Sequence, residues 1–381
     1  MEHHLYLNKE DMEEQKTYAK PIFLKFGKTW EQPEYKYNKS KGFISWGDKN
    51  DYPGQILSLY NEKGSNLHKA IINKKVKLIA GKGIQTVDAA LEAFLKANES
   101  DIFLRKIAVD YEIFNAFAIE VLFDEEGLVE EINHVNIHKL RRGIKSEKIN
   151  FNHFWYSTDW QKHTKAEHSP QFIREFNPRL RVGRQLLWFQ DYNPSTDGVY
   201  PIPYYSNALN WVSLDWEISK FHLNQARQAW TPSAIINFAT GVPSQEERDE
   251  YADELEAEFQ GTDNAGKIMI TYSAGQDEKP DYIPLEANDS DERFVTIAEG
   301  VKDNIAVAHE FPAQLVLQTP GKLGSSSERA ELLEEVKISY VLPRQNQIKE
   351  QLTRIFELNG YGEFEIVEAE MIVTNNPTPN V

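Results

Sequence analysis

The chain contains no cysteine. Disulfides, thiolate metal sites and a cysteine nucleophile are therefore excluded, and the composition fits a reducing cytosol. It also lacks any uninterrupted apolar run approaching about 18 residues, so no stretch reads as a membrane-spanning helix. Acid-free N-terminal sequence is missing as well: Glu10, Asp11, Glu13 and Glu14 stand where a secretory or transit peptide would carry none. The protein is expected to work where it is made. Cations fall well short of anions, 42 Lys and Arg against 59 Asp and Glu, for a net charge of −17. What is present rules out a disordered chain: 40% of residues are hydrophobic and 12% aromatic. At 381 residues, two or three packed modules are expected.

The charge is unevenly placed. Residues 1–80 hold 14 Lys against 10 acids, whereas residues 244–300 hold 17 acids against only Arg248, Lys267, Lys279 and Arg293. One short module thus carries most of the negative charge. Such a face repels a phosphate backbone and suits a basic protein partner or plain solvation.

Periodicity predicts an α+β chain. Residues 1–42 show no sustained period and read as an irregular arm with one strand. Ser65 or Asn66 caps a helix with Ile72, Val76 and Ile79 on one face, and Gly81 stops it. A second helix begins near Asp101, with Leu104, Ile107, Tyr111 and Phe114 in step. Alternation then takes over at Phe117, Ile119, Val121 and Phe123, and the acidic turn DEEG returns the chain through residues 128–132 as a hairpin. The aromatic segments FNHFWYS and LLWFQDY add strands. From Ser206 a long stripe, Leu209, Val212, Trp216, Ser219, Leu223, Ala226 and Trp230, predicts a helix over roughly 36 Å at 1.5 Å per residue. Residues 231–286 read as a β-α-β unit whose acidic helix opens with the capping box Ser244 and Glu247. A helix over 291–310 follows. Residues 311–331, FPAQLVLQTPGKLGSSSERAE, are too apolar for a linker and too flexible for a core. Beyond them a helical pattern runs to Gly360, with Pro343 expected to kink it.

No catalytic constellation stands out. In GTDNAGKI, Gly261, Gly266 and Lys267 match a phosphate-binding loop, but Ile268 replaces the Ser or Thr that holds magnesium. The segment also leaves a helix and enters a strand, the reverse of a P-loop. A helix stop before a strand outweighs the alternative of a nucleotide-binding enzyme using Gly266 and Lys267. His134 and His138 are four apart but lie in a strand-like run with no third ligand, so no metal is expected. Phe151, Phe154, Trp155, Tyr156 and Trp160 lack interleaved cations and read as core or subunit-contact aromatics rather than base-stacking platforms. Lys139, Arg141 and Arg142 read equally as a solvated loop or a phosphate contact. No cofactor is implied.

The order of pieces from Ser206 onward resembles the phage portal proteins of the long-tailed-phage branch. The pieces are SNALNWVSLDWEISKFHLNQARQAW, PSAIINFATG, PSQEERDEYADELEAEF, GTDNAGKIMITYS, RFVTIAEGVKDNIAVAHEFP, AQLVLQTPGKLGSS and ERAELLEEVKISYVLPRQNQIKEQL. Upstream, SWGDKNDYP, IINKKVKLIAGKGI and DYEIFNAFAIEVLFDEEGLVEEI look like the wing of that family. The resemblance covers residues 43–360 and rests on order and spacing.

It implies the portal fold: an arm (1–42), an α/β wing (43–205), a first stem helix (206–230), a clip (231–286), a second stem helix (287–310), a tunnel loop (311–327), a kinked wing helix (328–360) and a tail (361–381) with the crown largely missing. It implies a non-enzymatic, dodecameric ring at one capsid vertex, assembled in the host cytoplasm. Genome enters and leaves through such a ring, either in a phage or in a prophage remnant or gene-transfer particle. Implied partners are further copies of the chain, the terminase large subunit, head-completion proteins, capsid or scaffolding protein and double-stranded DNA held without sequence preference; no membrane is implied. Gln314, Gln318, Thr319, Lys322, Ser325, Ser326 and Ser327 are the expected channel residues. Glu246, Glu247, Asp249, Glu250, Asp253 and Glu254 are the expected docking face for the motor. An acidic conduit would let DNA slide where a basic one would grip it.

Overall fold

The computed structural model describes residues 30, 33–194, 198–228, 234–238, 244–246, 268–272, 290–316 and 326–369. The fold is α+β. Strands β1 (Tyr35–Asn38) and β2 (Phe43–Trp46) form an antiparallel hairpin, so the strand expected in the arm has its partner just beyond residue 42. Two short helices went unread in the sequence, Tyr52–Asn61 and Ala89–Ala97.

The helix Asn66–Ala80 begins where its capping chemistry predicts. The Ser65 hydroxyl accepts from the amides of Leu67 and His68. It ends at Gly81, whose φ of 54° and close approach to the chain exclude a side chain: an added Cβ would lie 2.0 Å from the Val367 carbonyl oxygen. The tail passes at this point, and β12 (Phe364–Ile366) pairs antiparallel with β3 (Ile84–Thr86). The helix Ser100–Phe114 turns into β4 (Ala116–Phe123) through a single residue, Asn115, in the left-handed conformation. Asparagine tolerates that geometry better than most side chains.

The sheet has six strands in the order β5-β4-β9-β8-β7-β6. They are β5 (Val129–His134), β6 (Leu140–Arg142), β7 (His153–Tyr156), β8 (Gln171–Glu175) and β9 (Arg184–Gln190), with β4 second. The expected hairpin is β4 with β5, and both aromatic segments supply strands, β7 and β9. β4 is central and buried along nearly its whole length, which its near-continuous apolar sequence reflects. The helices Asn66–Ala80 and Ser100–Phe114 pack together, and Ile71, Ile72, Val76 and Ile79 of the first and Leu104, Ile107 and Tyr111 of the second are buried core residues.

The predicted long helix is Leu209–Gln228, packed against a second, Ser290–Ala308. Only the first part of the stripe is covered: Leu209 and Val212 are buried and Trp216 is half-buried, whereas Ser219 and Leu223 are exposed. β10 (Ala234–Phe238) and β11 (Ile268–Tyr272) pair in parallel, Ala234 opposite Ile268 through Phe238 opposite Tyr272. A parallel pair needs a crossover of a dozen or more residues, and the acidic segment supplies one in sequence. The expected acidic helix and the strand DYIPLE lie outside the described residues.

The last helical pattern is three pieces: Ser326–Val336, a π turn over Lys337–Val341 and Leu342–Phe356. Pro343 therefore falls in the first turn after the π turn, where its missing N–H is tolerated. Gly360, at φ 71°, closes the run as expected.

Candidate functional site

Few of the predicted channel and docking residues can be placed. Gln314 is exposed in the short 3-10 turn Ala313–Leu315, and Ser326 and Ser327 are the first residues of their helix. Gln318, Thr319, Lys322 and Ser325 lie outside the described residues. So do Glu247, Asp249, Glu250, Asp253 and Glu254, while Glu246 is exposed. Leu315 is buried within its own chain.

What the structure does define is the floor on which the segment between the second long helix and the C-terminal helix is mounted. The helix Ser290–Ala308 ends through His309 and Glu310, the latter left-handed at φ 49°, and the Phe311 amide returns to the Ala306 carbonyl. This is a left-handed helix stop made without glycine. Beneath it lies Lys75, a fully buried lysine on Asn66–Ala80. Its Nζ donates to the His309 carbonyl at 2.5 Å and to the Tyr204 hydroxyl at 3.1 Å, and sits 3.5 Å from the centre of the Tyr340 ring. A cation at the carbonyl end of a helix opposes the partial negative charge there. Burial drives the Lys75 pKa down to about 7, against the pull of Glu112.

Glu112, fully buried on Ser100–Phe114, accepts from Tyr340 at 2.8 and 3.0 Å and from Tyr204 at 3.0 Å. Because Tyr204 gives its proton to this carboxylate, its oxygen accepts from Lys75 and from Nδ1–H of His309, 3.1 Å away. His309 Nε2 then accepts from His68 Nδ1–H at 2.8 Å. The chain of donors stops there, since His68 Nε2 is buried without a partner. Burial holds both imidazoles neutral: it lowers His68 to about 3, and burial together with His68 and Lys75 keeps His309 well below its ordinary value. On the other side, Arg344 donates to Asn115 and Asp191, each at 2.9 Å, and covers the Tyr111 ring at 4.1 Å. The residue that turns helix into β4 is thereby tied to the helix following the π turn.

The sequence offered one signal for this cluster. His68, Ile71, Ile72, Lys75, Val76 and Ile79 share the inward face of one helix, and Leu104, Ala108, Tyr111 and Glu112 that of another, so Lys75 and Glu112 are charges at core positions. Such charges persist only when bonded.

The other candidates resolve into packing. Arg141 is 2% exposed, contrary to a solvated basic loop: it donates to the Asn50 side chain and to the carbonyls of Asn50, His138 and Leu140, and stacks 4.8 Å from Trp160. Arg142 covers Phe154 and Trp188. Phe154 and Trp160 are core aromatics. His134 bonds Asp110 at 2.8 Å, and that carboxylate also accepts from the Ile137 amide. Among the described residues no group of three or more His, Asp or Glu is placed to hold a metal ion, and no helix is long and apolar enough to cross a membrane. All of GTDNAGKI before Ile268 lies outside the described residues; Ile268 opens β11.

With the paired long helices, the parallel strand pair between them and the long C-terminal helix in place, comparison with known proteins is decisive. Residues 76–369 match the family described as phage portal protein. The chain belongs to the phage portal family. No curated protein matches it. Among solved structures, a chain of the virion of a native gene transfer agent particle aligns with a TM-score of 0.56 at 15% identity, covering 82% of each chain. A chain from the neck of an empty gene transfer agent particle, computed with C6 symmetry, gives 0.55 at 13%, covering 81% of this portal chain and 82% of that one. One from the neck of the native particle, computed with C12 symmetry, gives 0.51 at 17%, covering 78% and 79%. At these identities the likeness establishes the shared fold.

Proposed function

We propose that the chain is the portal subunit of a phage-type capsid: a ring-forming, structural protein through which DNA is packaged and ejected, the driving force coming from a terminase ATPase. The family match over residues 76–369 carries this reading, and the exposed apolar side chains of the paired helices support it. Leu214, Phe221 and Leu223 on one helix and Ile297 and Val307 on the other are at least a third exposed in the single chain, Val307 to 76%. Exposed apolar side chains on a pair of long helices suit burial by neighbours in a closed ring. The C6 and C12 symmetries of the matched particle necks fit a dodecamer.

In this reading Leu209–Gln228 and Ser290–Ala308 are the stem, residues 231–286 the clip, residues 311–327 the tunnel loop and residues 328–360 the wing helix. The wing comprises residues 43–205. The acidic clip meets the terminase and later the head-completion proteins, and the ring resides at one vertex of the virion after assembly in the host cytoplasm. A chain net negative by 17 charges passes DNA without gripping it. One variant of this reading is the portal of a gene-transfer particle, with which the fold of the gene transfer agent structures is consistent.

Complementation tests the proposal. Particle-producing cells lacking the chain should yield capsids without DNA, and the wild-type chain should restore filling. A chain with Glu250→Lys, Asp253→Lys and Glu254→Lys should enter capsids yet leave them empty. DNA-filled capsids in the absence of the chain would end the portal reading, and full capsids with the triple variant would leave the acidic segment a solvated face. Sequencing the packaged DNA separates a phage genome from fragments of the host.

A further inference from the structure

Residues 311–336 leave one helix and return to another; Lys75 touches both ends, and Glu112 reaches the leaving end through Tyr204. At the leaving end, His309 presents its carbonyl to Lys75 and its Nδ1 to the Tyr204 hydroxyl. At the returning end, Tyr340 in the π turn donates to Glu112 and lays its ring over the Lys75 ammonium. Tyr204 bridges the two, donating to Glu112 and accepting from Lys75. Lys75, Glu112, His309 and Tyr340 are buried and Tyr204 is half-buried.

We propose that Lys75 and Glu112 form a single clamp on both ends of residues 311–336, with Tyr204 and Tyr340 as its positioning residues, so that the two ends are held and released together. The physical reason is the cost of partial release. If Tyr340 withdraws, Glu112 keeps one hydrogen bond, from the Tyr204 hydroxyl, and the Arg344 guanidinium 4.0 Å away, and the Lys75 ammonium loses the ring beneath it. A half-satisfied buried polar network is worse than a complete one or none, so disturbance at one end propagates to the other. The π turn places Tyr340 for this contact, and π turns occur preferentially at functional positions. The clamp is a property of the chain itself; only its consequence for DNA, a tunnel loop whose two roots cannot move independently, rests on the portal reading.

Hydrogen exchange on the full-length purified protein tests it. Tyr340→Phe removes one hydroxyl at the returning end. It should speed exchange at least tenfold at the amides of His309, Glu310 and Phe311, which bond to Ile305, Val307 and Ala306 at the other end, while β4 stays protected. Leu333→Ala, which trims a buried contact on Ser326–Val336 outside the clamp, should speed exchange only within residues 326–341. Wild-type exchange at residues 309–311 in Tyr340→Phe overturns the proposal. If the variant instead loosens β4 as well, thermal midpoints of Tyr340→Phe, His309→Gln and the double variant decide: a combined shift clearly smaller than the sum supports one clamp, and additive shifts refute it. Imaging the same samples reads ring formation separately, so a wild-type chain that makes no ring ends the portal reading without touching this result.

Discussion

His68 sits at the blind end of the donor chain that starts at Glu112, with its Nδ1–H given to His309 and its Nε2 facing nothing polar. Protonating it in place would bury an unpaired charge. Its folded pKa, near 3, lies below the unfolded value of about 6.5, so the unfolded chain binds the extra proton first. The stability this histidine contributes is complete above about pH 6.5 and is lost progressively as pH falls toward 3. His68→Gln should therefore flatten the fall in thermal midpoint between pH 6.5 and 4, even though it lowers the midpoint at pH 7.5. Melting curves across that range check it, and parallel pH profiles for the two proteins would assign the acid sensitivity elsewhere. At this scale the sequence was only partly legible. Ser65 and Gly81 announce their roles because capping and left-handed geometry are local. Arg141 misleads because its partners, Asn50, Trp46 and Trp160, come from distant segments that folding alone brings together.

Among the elements, the C-terminal helix departs most from its sequence pattern. Leu333, Val336, Tyr340, Val341, Ile348, Leu352 and Ile355 are buried, but the step from Val336 to Val341 is five residues, one too many for an α-helical face. The π turn absorbs the extra residue, which keeps Leu333 and Val336 on the core while Tyr340 reaches Glu112. It also places Pro343 where no carbonyl four residues back requires its N–H. Deleting exposed Ser339 should restore a continuous α-helix and put Pro343 inside it, costing about 3 kcal/mol. Pro343→Ala should recover most of that loss in the deletion background and change the intact chain by less than about 1 kcal/mol. Urea denaturation of the four proteins measures the cycle; an equal effect of Pro343→Ala in both backgrounds would contradict the account. The helices Leu209–Gln228 and Ser290–Ala308 were legible because their stripes repeat over several turns. The π turn was hidden because a one-residue phase shift and a proline kink look alike in sequence.

For the whole molecule, the arrangement of parts is carried by order and spacing more than by any single motif. Two long helices bracket a parallel strand pair, and a buried polar floor joins the second helix to the C-terminal one. That order was readable because each part has its own periodicity, whereas the floor was not, since its members lie on five segments far apart in the chain. On the paired helices Val212, Val301 and Ile305 are buried, yet Phe221, Leu223, Ile297 and Val307 are exposed. A lone chain has no use for such a surface; a ring does. Electron microscopy of the purified full-length protein in negative stain tests this most directly. The account predicts closed rings with a central hole, twelve subunits around it, and loss of those rings when Phe221 and Val307 are both changed to Asp. A monodisperse monomer that forms no ring under any condition tried would contradict it.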